Sequence, residues 1–331
     1  MTEDRSTGDR ASVNRVVRLK AFGGPANISI ETEEVPVPQD DEVLVRVVSA
    51  GVNPSDYQIR NGDFEEVVSA ADLPSGLGFD LAGRIEAVGP DQKQFAVGDA
   101  VFALVGQPSA QADYAVVPAE EVVPAPTSID LVHAGAVPLA AITAWQGLFD
   151  NGGLEAGQSV LVHGGAGGLG HLAVQLAKAR GATVYATCST ADLDFVRSLG
   201  VERAIDYKSE RFEDLVQDLD LVLDLVGGET NARSYAVLRE GGTLVSTIQA
   251  PDEEAAAKKK VQAPPVFMAT PNAGQLREIA TLIDAGKVVV NVAESFRLED
   301  VREAQARLER GSVQGKLVLL TGAPSDEDAQ R

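Results

Sequence analysis

The sequence predicts an α/β protein in which a barrel-like domain of short strands is joined to a doubly wound parallel sheet. Short β-like runs separated by turns occupy residues 16–126, and strand-like runs alternate with helical segments from about residue 131. A glycine-rich stretch, "HGGAGGLG", lies at 163–170. A chain of 331 residues is long enough for about two domains of ~150 residues each.

The first part of the chain has the pattern of an antiparallel β domain. Its strand-like runs are "EVLVRVVSAGV", "AGRIEAVG", "DAVFALV" and "ADYAVVP". The turn signals "GG", "VGPD" and "VGD" interrupt the strand-like pattern. We assign residues 15–128 to this domain.

The second part alternates strands with helices. The run "SVLVHG" is an apolar strand, Leu169, Leu172, Ala173 and Leu176 then recur at helical spacing, and "RGATVYATC" begins another strand. The series continues with "VERAIDY", "LDLVLDLVG", "GGTLVSTIQ" and "PPVFMAT". Because alternating strands and helices form a parallel sheet covered on both faces, we assign residues 129–286 to such a domain.

The end of the chain is predicted to return to the first domain. Residues 287–322 carry two strand-like runs that flank an amphipathic helix. The polar ends of the chain, residues 1–14 and 323–331, are predicted to be flexible tails.

Composition and charge exclude several classes of protein. The chain is 44% apolar and 23% charged, which is typical of a soluble globular protein. A formal net charge of −21 disfavours nucleic acid and anionic membranes as partners. The polar first residues lack the apolar centre of a signal peptide, and the single cysteine, Cys188, allows no intrachain disulfide, so we expect a cytoplasmic protein. With only three histidines and one thiol, no metal site is predicted.

The glycine-rich stretch matches a phosphate-binding pattern. Residues 165–170, "GAGGLG", satisfy G-x-G-x-x-G directly after a strand and at the start of a helix. We expect Gly165 to permit the tight turn, Gly167 to let the backbone approach a diphosphate, and Gly170 to let helix and strand pack closely. Together with the amides of the helix N-terminus, this context predicts a Rossmann domain that binds a dinucleotide.

The end of the next strand bears on the choice of dinucleotide. It reads Thr187-Cys188-Ser189-Thr190 and has no carboxylate at the position that binds the ribose hydroxyls of NAD. Hydroxyls there can donate to a 2′-phosphate, so NADPH is favoured over NADH. Lys208, beside Tyr207 at the end of the third strand, is the candidate positive charge. Asp192 and Asp194 are expected to serve the start of the following helix.

Several motifs together resemble a known family. The stretches "GVNPSDY", "GFDLAGRIEAVG", "VGDAVFAL", "ITAW" and "VLVHGGAGGLGHLAVQLAK" are similar to those of the zinc-independent medium-chain dehydrogenases/reductases of the NADPH:quinone oxidoreductase (zeta-crystallin-like) family. The similarity runs from about Val16 to Leu320. It implies a GroES-like catalytic domain, split by a Rossmann domain, with a cleft between them. It also implies a homodimer formed through the edge strand of the Rossmann sheet, which we place at Val266 to Ala269.

The zinc alcohol dehydrogenases share the implied fold but differ at their metal ligands. They carry a zinc-binding cysteine where this chain has the stretch Ser49-Ala50-Gly51-Val52-Asn53, and Gly-His-Glu where it has Gly78-Phe79-Asp80. Their four-cysteine structural lobe is absent from this sequence as well. Zinc chemistry is therefore not expected.

The resemblance also implies site residues. Asn53 and Tyr57 would face the nicotinamide and the substrate as the catalytic pair, and Asn53 would also contact the cofactor. The other residues implied to bind NADPH are Thr143, Gly165, Ala166, Gly167, Gly168, Leu169, Ser189, Tyr207, Lys208, Val226, Ile248, Gln249, Val266, Phe267 and Met268. Two stretches depart from the family pattern. "TIQAPDEEAAAKKKVQAPP" lacks the usual glycine-rich turn, and "QPSAQADYA" replaces the usual glycine-glycine, so the substrate pocket is expected to differ in shape.

The expected function is NADPH-dependent reduction of quinones or α,β-unsaturated carbonyls without zinc. Hydride addition to such a substrate leaves an enolate-like oxygen, for which the Asn53 amide and the Tyr57 hydroxyl are donors of the right type. Two alternatives remain at this stage, an enoyl-thioester reductase and a non-catalytic NADPH-binding protein. Tyr57 as a packed aromatic, and Asn53 before Pro54 as a turn residue, are the structural alternatives for these two side chains.

Overall fold

The computed structural model describes residues 13–322 of the chain. Its strands are β1 (Asn14–Leu19), β2 (Ile28–Glu33), β3 (Glu42–Val52), β4 (Asp80–Val88), β5 (Ala100–Leu104), β6 (Tyr114–Pro118), β7 (Val122–Pro124), β8 (Ser159–Val162), β9 (Thr183–Cys188), β10 (Arg203–Asp206), β11 (Leu219–Asp224), β12 (Leu238–Ser246), β13 (Val292–Arg297) and β14 (Lys316–Leu320). Its helices are α1 (Pro54–Asn61), α2 (Leu131–Ala134), α3 (Pro138–Trp145), α4 (Gly170–Ala179), α5 (Leu193–Ser198), α6 (Gly228–Ser234), α7 (Glu253–Lys259), α8 (Ala273–Asp284) and α9 (Val301–Glu309).

The strands β8 to β12 form a parallel sheet in the order β10-β9-β8-β11-β12. The predicted doubly wound parallel sheet is thereby confirmed. Val160, Leu161 and Val162 of β8 are fully buried at its centre, as expected of a strand covered on both faces. The strand order reverses between β8 and β11, and ligands of such sheets bind outside the carboxyl ends of the strands at this point.

The other main sheet is mixed and has the order β13-β14-β3-β4-β5-β7, with β6 pairing to β3. Strand β14 runs antiparallel to β3 and places Leu317 opposite Val52. The last described strand of the chain thus lies beside the segment that leads into α1. This pairing brings Lys316 next to residues that are more than 250 positions earlier in the sequence.

One predicted strand is absent. Residues 263–272 contain no strand, so the prediction of an edge strand at Val266 to Ala269 was wrong for the single chain. Pro264 and Pro265 precede this segment, and proline cannot donate a hydrogen bond to a sheet. A bridge between Thr243 and Gln262 is the last pairing before it.

The predicted flexible tails lie outside the described residues except at positions 13 and 14. Position 14 was assigned to a tail, yet Asn14 begins β1 and is buried. Its side chain donates to the carbonyl of Tyr114 at 3.0 Å and accepts from the amide of Tyr114 at 2.9 Å. These two bonds attach the first described strand to β6.

The two sheets share an apolar core. It includes Val48 and Phe102 of the mixed sheet together with Ile142, Trp145 and Val160 from the following part of the chain. Ser49 donates a hydrogen bond of 2.6 Å from Oγ to the carbonyl of Leu131, which anchors α2 against β3. The apolar contacts and this hydrogen bond place the start of α3 beside the end of β3.

Candidate active site

The glycine-rich stretch makes a tight loop between β8 and α4. The sequence predicted the tight turn at Gly165. It is made at Gly164 instead, which has a φ of +75°. Gly165 packs against the next strand, because a Cβ at this position would lie 2.7 Å from the Cβ of Ala186. Gly170 is required within the loop itself, since a Cβ there would overlap the carbonyl oxygen of Gly164.

One side of the loop is open to a ligand. A Cβ at Gly167 would have a single near neighbour, the Gly164 oxygen at 3.4 Å. Within residues 13–322, the amides of Ala166 and Leu169 donate no hydrogen bond. An open backbone face with free amides, next to the N-terminus of a ten-residue helix, is suited to a diphosphate. The loop residues therefore fit the dinucleotide that the sequence predicts.

Two contacts hold the loop from behind. The amide of Gly315 donates to the carbonyl of Ala166 at 2.9 Å. Nδ1 of the buried His171 donates to the carbonyl of Gly167 at 2.9 Å, and its Nε2 accepts from the amide of Asn291 at 3.3 Å. Burial lowers the pKa of His171 to about 4, so the ring is neutral near pH 7 and keeps both bonds.

The hydroxyls at the end of β9 are already hydrogen-bonded. Thr187 is buried and its Oγ1 lies 3.0 Å from Nδ1 of His163. Ser189 donates to Oδ2 of Asp192 at 2.6 Å, and Thr190 donates to Oδ2 of Asp206 at 2.7 Å. The expectation that no carboxylate lies at this point was wrong, because the short turn after β9 folds Asp192 back onto Ser189.

The end of β10 supplies positive charge. Tyr207 and Lys208 are exposed there, and Tyr207 has 61% of its surface accessible. They line a surface pocket of about 340 Å³ together with Ser209, Glu210, Arg211, Glu229 and Arg233. Arg233 is paired with Glu213, and this guanidinium lowers the pKa of the Glu213 carboxyl to about 2. Lys208 therefore lies at the end of this strand with acidic side chains beside it, and its contact with a cofactor stays a prediction.

The ends of β11 and β12 lie on the other side of β8 from β9 and β10. Val226 and Ile248 are exposed at these ends. The buried Asp224 shapes the turn after β11, since its Oδ1 accepts from the amides of Val226 and Gly227, both at 3.0 Å. The side chain of Gln249 accepts from the amide of Gly228 at 2.7 Å. Further along the chain, Val266 and Met268 are exposed, whereas Phe267 is partly buried against the core.

Asn53 lies at the start of α1 and is only 4% exposed. Its Nδ2 donates to Oδ2 of Asp80 at 2.7 Å, and its Oδ1 accepts from Nζ of Lys316. Its backbone amide donates to Oδ2 of Asp56 at 2.9 Å, which caps the helix. Asn53 therefore has the structural role given above as the alternative, at the turn into α1. Its carboxamide also belongs to a buried polar cluster.

The ionisable groups of this cluster are fully or almost fully buried. The pKa of Asp56 is raised to about 7, chiefly by burial and to a smaller extent by the Asp80 carboxyl, while hydrogen bonds and Lys316 oppose the change. Burial likewise raises the pKa of Asp80 and lowers that of Lys316. When Asp56 is protonated, the only carboxylate left in the cluster is that of Asp80, and the ammonium of Lys316 balances its charge.

Tyr57 and Thr143 differ in their availability to a ligand. Tyr57 is half-buried, and within the described part of the chain its hydroxyl has no hydrogen-bond partner. Burial raises the pKa of Tyr57, and the charged groups that influence it are Glu309 and Arg60. Thr143 is different, since its Oγ1 donates to the carbonyl of Leu139 at 2.7 Å. Contacts of both residues with a cofactor stay predictions.

Sequence reasoning missed several polar residues of this site: Asp56, Asp80, His171, Asp224 and Lys316. Each is buried in the structure. The signal was an ionisable residue inside or at the end of an apolar run, such as Lys316 before "LVLL", since such groups are buried only when paired.

The described residues contain no cluster of three or more histidine, cysteine or acidic side chains that could hold a metal ion. They also contain no helix with the length and apolar character needed to cross a bilayer.

Comparisons with known proteins agree with this geometry. Family models match at residues 39–127 (alcohol dehydrogenase GroES-like domain) and 199–319 (zinc-binding dehydrogenase). The chain is 37% identical over 300 residues to a 2-methylene-furan-3-one reductase of Solanum lycopersicum, covering 86% of this chain and 73% of the relative. It is 36% identical over 313 residues to an NADPH-dependent alkenal/one oxidoreductase, chloroplastic, of Arabidopsis thaliana, covering 90% and 77%. A solved quinone oxidoreductase from Coxiella burnetii superposes with a TM-score of 0.84 at 31% identity, covering 93% of this chain and 99% of that one.

The parallel sheet with its glycine loop, joined to a GroES-like domain, defines a medium-chain dehydrogenase/reductase. The predicted fold class is confirmed. Within this class the chain belongs to the zinc-independent quinone oxidoreductase family, as its sequence motifs indicate.

Proposed function

We propose that the protein is an NADPH-dependent reductase of quinones or α,β-unsaturated carbonyls. The open backbone face at Gly167, with its free amides beside α4, carries the proposal because it is suited to a dinucleotide diphosphate. The names of the relatives support the same chemistry, since they include an alkenal/one oxidoreductase and a quinone oxidoreductase.

The residues at the carboxyl ends of the parallel strands would hold NADPH. Gly165, Ala166, Gly167, Gly168 and Leu169 would bind the diphosphate. Ser189, Tyr207 and Lys208 would bind the adenosine end, and the nicotinamide end would lie between these strands and the Asn53 cluster. The lining residues assigned to that region are Asn53, Thr143, Val226, Ile248, Gln249, Val266, Phe267 and Met268.

When bound, NADPH would supply the hydride that reduces the β-carbon of an enone or a quinone. Negative charge then develops on the substrate oxygen, and the protein must stabilise it with hydrogen-bond donors. Asn53 has a second hydrogen on Nδ2 beyond the one that Asp80 accepts, and Tyr57 has an unbonded hydroxyl. A proton from solvent would complete the reduction.

The proposal is tested by measuring NADPH oxidation against a panel of quinones, enones and enoyl thioesters. Turnover of quinones or enones is expected. Exclusive turnover of enoyl thioesters would replace the proposed substrate class, and NADPH binding without any turnover would indicate a non-catalytic protein.

Coenzyme preference is expected to depend on opposite charges at Lys208 and Asp192. Lys208→Met should raise the Kd of NADPH about tenfold, the scale of a lost bond to a charged group, and leave the Kd of NADH nearly unchanged. Asp192→Asn should tighten NADPH binding instead, because it removes a carboxylate that Ser189 contacts. Fluorescence titrations with both coenzymes measure this, and equal changes for NADPH and NADH would contradict it.

Removal of the Tyr57 hydroxyl is expected to slow turnover. Tyr57→Phe should lower kcat with an enone about tenfold or more, since a donor to the developing oxyanion is lost. The Kd of NADPH should stay within a factor of about two of the native value. Tyr185→Phe is the control, because Tyr185 is another half-buried tyrosine, on β9. An unchanged kcat for Tyr57→Phe would show that Tyr57 only packs.

We further propose a homodimer in the cytoplasm. Val266 and Met268 are exposed in a segment without strand partners in the single chain, and a second copy would cover them. Burial raises the pKa of the Cys188 thiol to about 11, which suits an unreactive thiol in a reducing compartment. Light scattering of the purified protein tests the first proposal and cell fractionation the second.

A further inference from the structure

The carboxamide of Asn53 lies between the two side chains of a buried ion pair, Lys316 and Asp80. Nζ of Lys316 donates to Oδ1 of Asn53, and it lies 3.7 Å from Oδ2 of Asp80. Nδ2 of Asn53 donates to that same Oδ2 at 2.7 Å. The Lys316 side chain is 4% exposed and that of Asp80 is fully buried. Both ends of the carboxamide are therefore bonded to opposite charges.

These charges allow the carboxamide only one orientation. An ammonium can only donate and a carboxylate can only accept. If the carboxamide rotated by half a turn, Nδ2 would face the ammonium of Lys316 and Oδ1 would face the carboxylate of Asp80. Both contacts would then be repulsive, so the second hydrogen of Nδ2 has a fixed direction.

The ion pair is itself held by the parts of the chain that build the site. Oδ1 of Asp80 accepts from the amide of Leu139 in α3. Lys316 follows Gly315, whose amide is bonded to the glycine loop at Ala166. A Cβ at Gly168 would lie 2.9 Å from Cδ of Lys316, so the stem of this lysine passes directly behind the loop. The ammonium thus lies between the loop and Asn53.

We propose that Lys316 and Asp80 are positioning residues that fix the Asn53 carboxamide as a hydrogen-bond donor to the substrate. The inference rests on the proposed function, in which Asn53 stabilises the developing oxyanion. Lys316 has a second effect, because an ammonium bonded to Oδ1 polarises the amide and strengthens donation from Nδ2. The pair performs no chemistry of its own and acts only through Asn53.

A double-mutant cycle separates this role from a general structural one. The variants are Lys316→Met, Asn53→Ala and the double variant, and Lys93→Met, at an exposed lysine between β4 and β5, is the control. For each we measure kcat and KM with an enone, the Kd of NADPH by fluorescence, and the melting temperature.

Lys316→Met is expected to lower kcat about tenfold or more, on the scale of a weakened oxyanion donor. The Kd of NADPH should change less than about threefold, because the bond to the loop comes from the backbone of Gly315. In the Asn53→Ala background, Lys316→Met should add less than about a twofold loss, since two residues that act through one group are not additive.

An equal loss of kcat with and without Asn53 would overturn the proposal, and so would an unchanged kcat or a loss confined to NADPH binding. If Lys316→Met alone does not fold, the variant Asp80→Asn/Lys316→Met replaces it, since no buried charge of the pair is then left unpaired. That variant is expected to fold and to lose kcat, and native kcat would overturn the proposal. If the native protein reduces no member of the substrate panel, the proposed function fails, and this inference fails with it.

Discussion

Gly170→Ala is expected to weaken NADPH binding about tenfold to hundredfold and to lower the free energy of unfolding by about 1–3 kcal/mol, the usual cost of overpacking. The added Cβ would overlap the carbonyl oxygen of Gly164 and would also lie 2.8 Å from its carbonyl carbon. These are backbone atoms, so no side chain can move to make room. The loop itself must shift, and its amides then no longer converge on the diphosphate.

Fluorescence titration with NADPH and thermal unfolding measure the two effects. Gly24→Ala is the control, because no atom lies within 4 Å of a Cβ there and its φ is −73°. Gly167→Ala should separate the two effects, since its single neighbour at 3.4 Å leaves room for the fold while the methyl group faces the proposed diphosphate site. Native affinity for NADPH in both loop variants would refute the proposed location of the cofactor.

Asp56→Asn is expected to remove a large part of the pH dependence of stability. The pKa of Asp56 is about 7 in the folded protein against an ordinary value of 3.8, and burial is the main cause. Between these values the folded chain holds a proton that the unfolded chain has released, so stability falls as pH rises. The fall is at most ~1.4 kcal/mol per pH unit from this group, and it ends above the folded pKa.

Asparagine resembles the protonated carboxyl, and its oxygen can still accept from the amide of Asn53 and from Gln111. The variant should therefore gain stability relative to the native protein as pH rises from 5 to about 7, and the gain should level off above the folded pKa of Asp56. Urea titrations at pH 5, 6.5 and 8 give the difference between the two proteins, which cancels the other titrating groups. A difference that does not change with pH would contradict a raised pKa for Asp56.

Most elements of the parallel sheet could be predicted because their signals are local. The runs at β8, β9, β10, β11 and β12 are short and strand-like, each with consecutive apolar residues, and most are separated by segments with helical periodicity. The segment after Pro264-Pro265 is apolar as well, but it has no strand partner within the described chain, and a strand forms only where another strand bonds to it. Apolar character alone therefore could not decide the edge of the sheet.

The glycine loop illustrates the limit of a local motif. The spacing identified the loop and its place before α4, but it assigned the turn to Gly165 instead of Gly164. Several glycines in succession allow more than one path, and contacts with Ala186 and Gly315 select the one that forms. The contact between Asp192 and Ser189 was not predicted either, because it depends on the path of the turn after β9.

The amino-acid sequence by itself determined the class of fold, the position of the phosphate-binding loop, the absence of thiolate and imidazole ligands at the zinc positions, and Asn53 as a residue of interest. Periodicity and residue type are sufficient for the fold class and the loop, whereas the zinc positions and Asn53 follow from the resemblance to the family. Only the tertiary structure decided which groups surround Asn53. Lys316 is 263 positions away in the chain, and it reaches Asn53 because β14 pairs with β3. A buried charge is stable only beside a partner, and which partner lies beside it depends on strand pairing and not on spacing in the sequence.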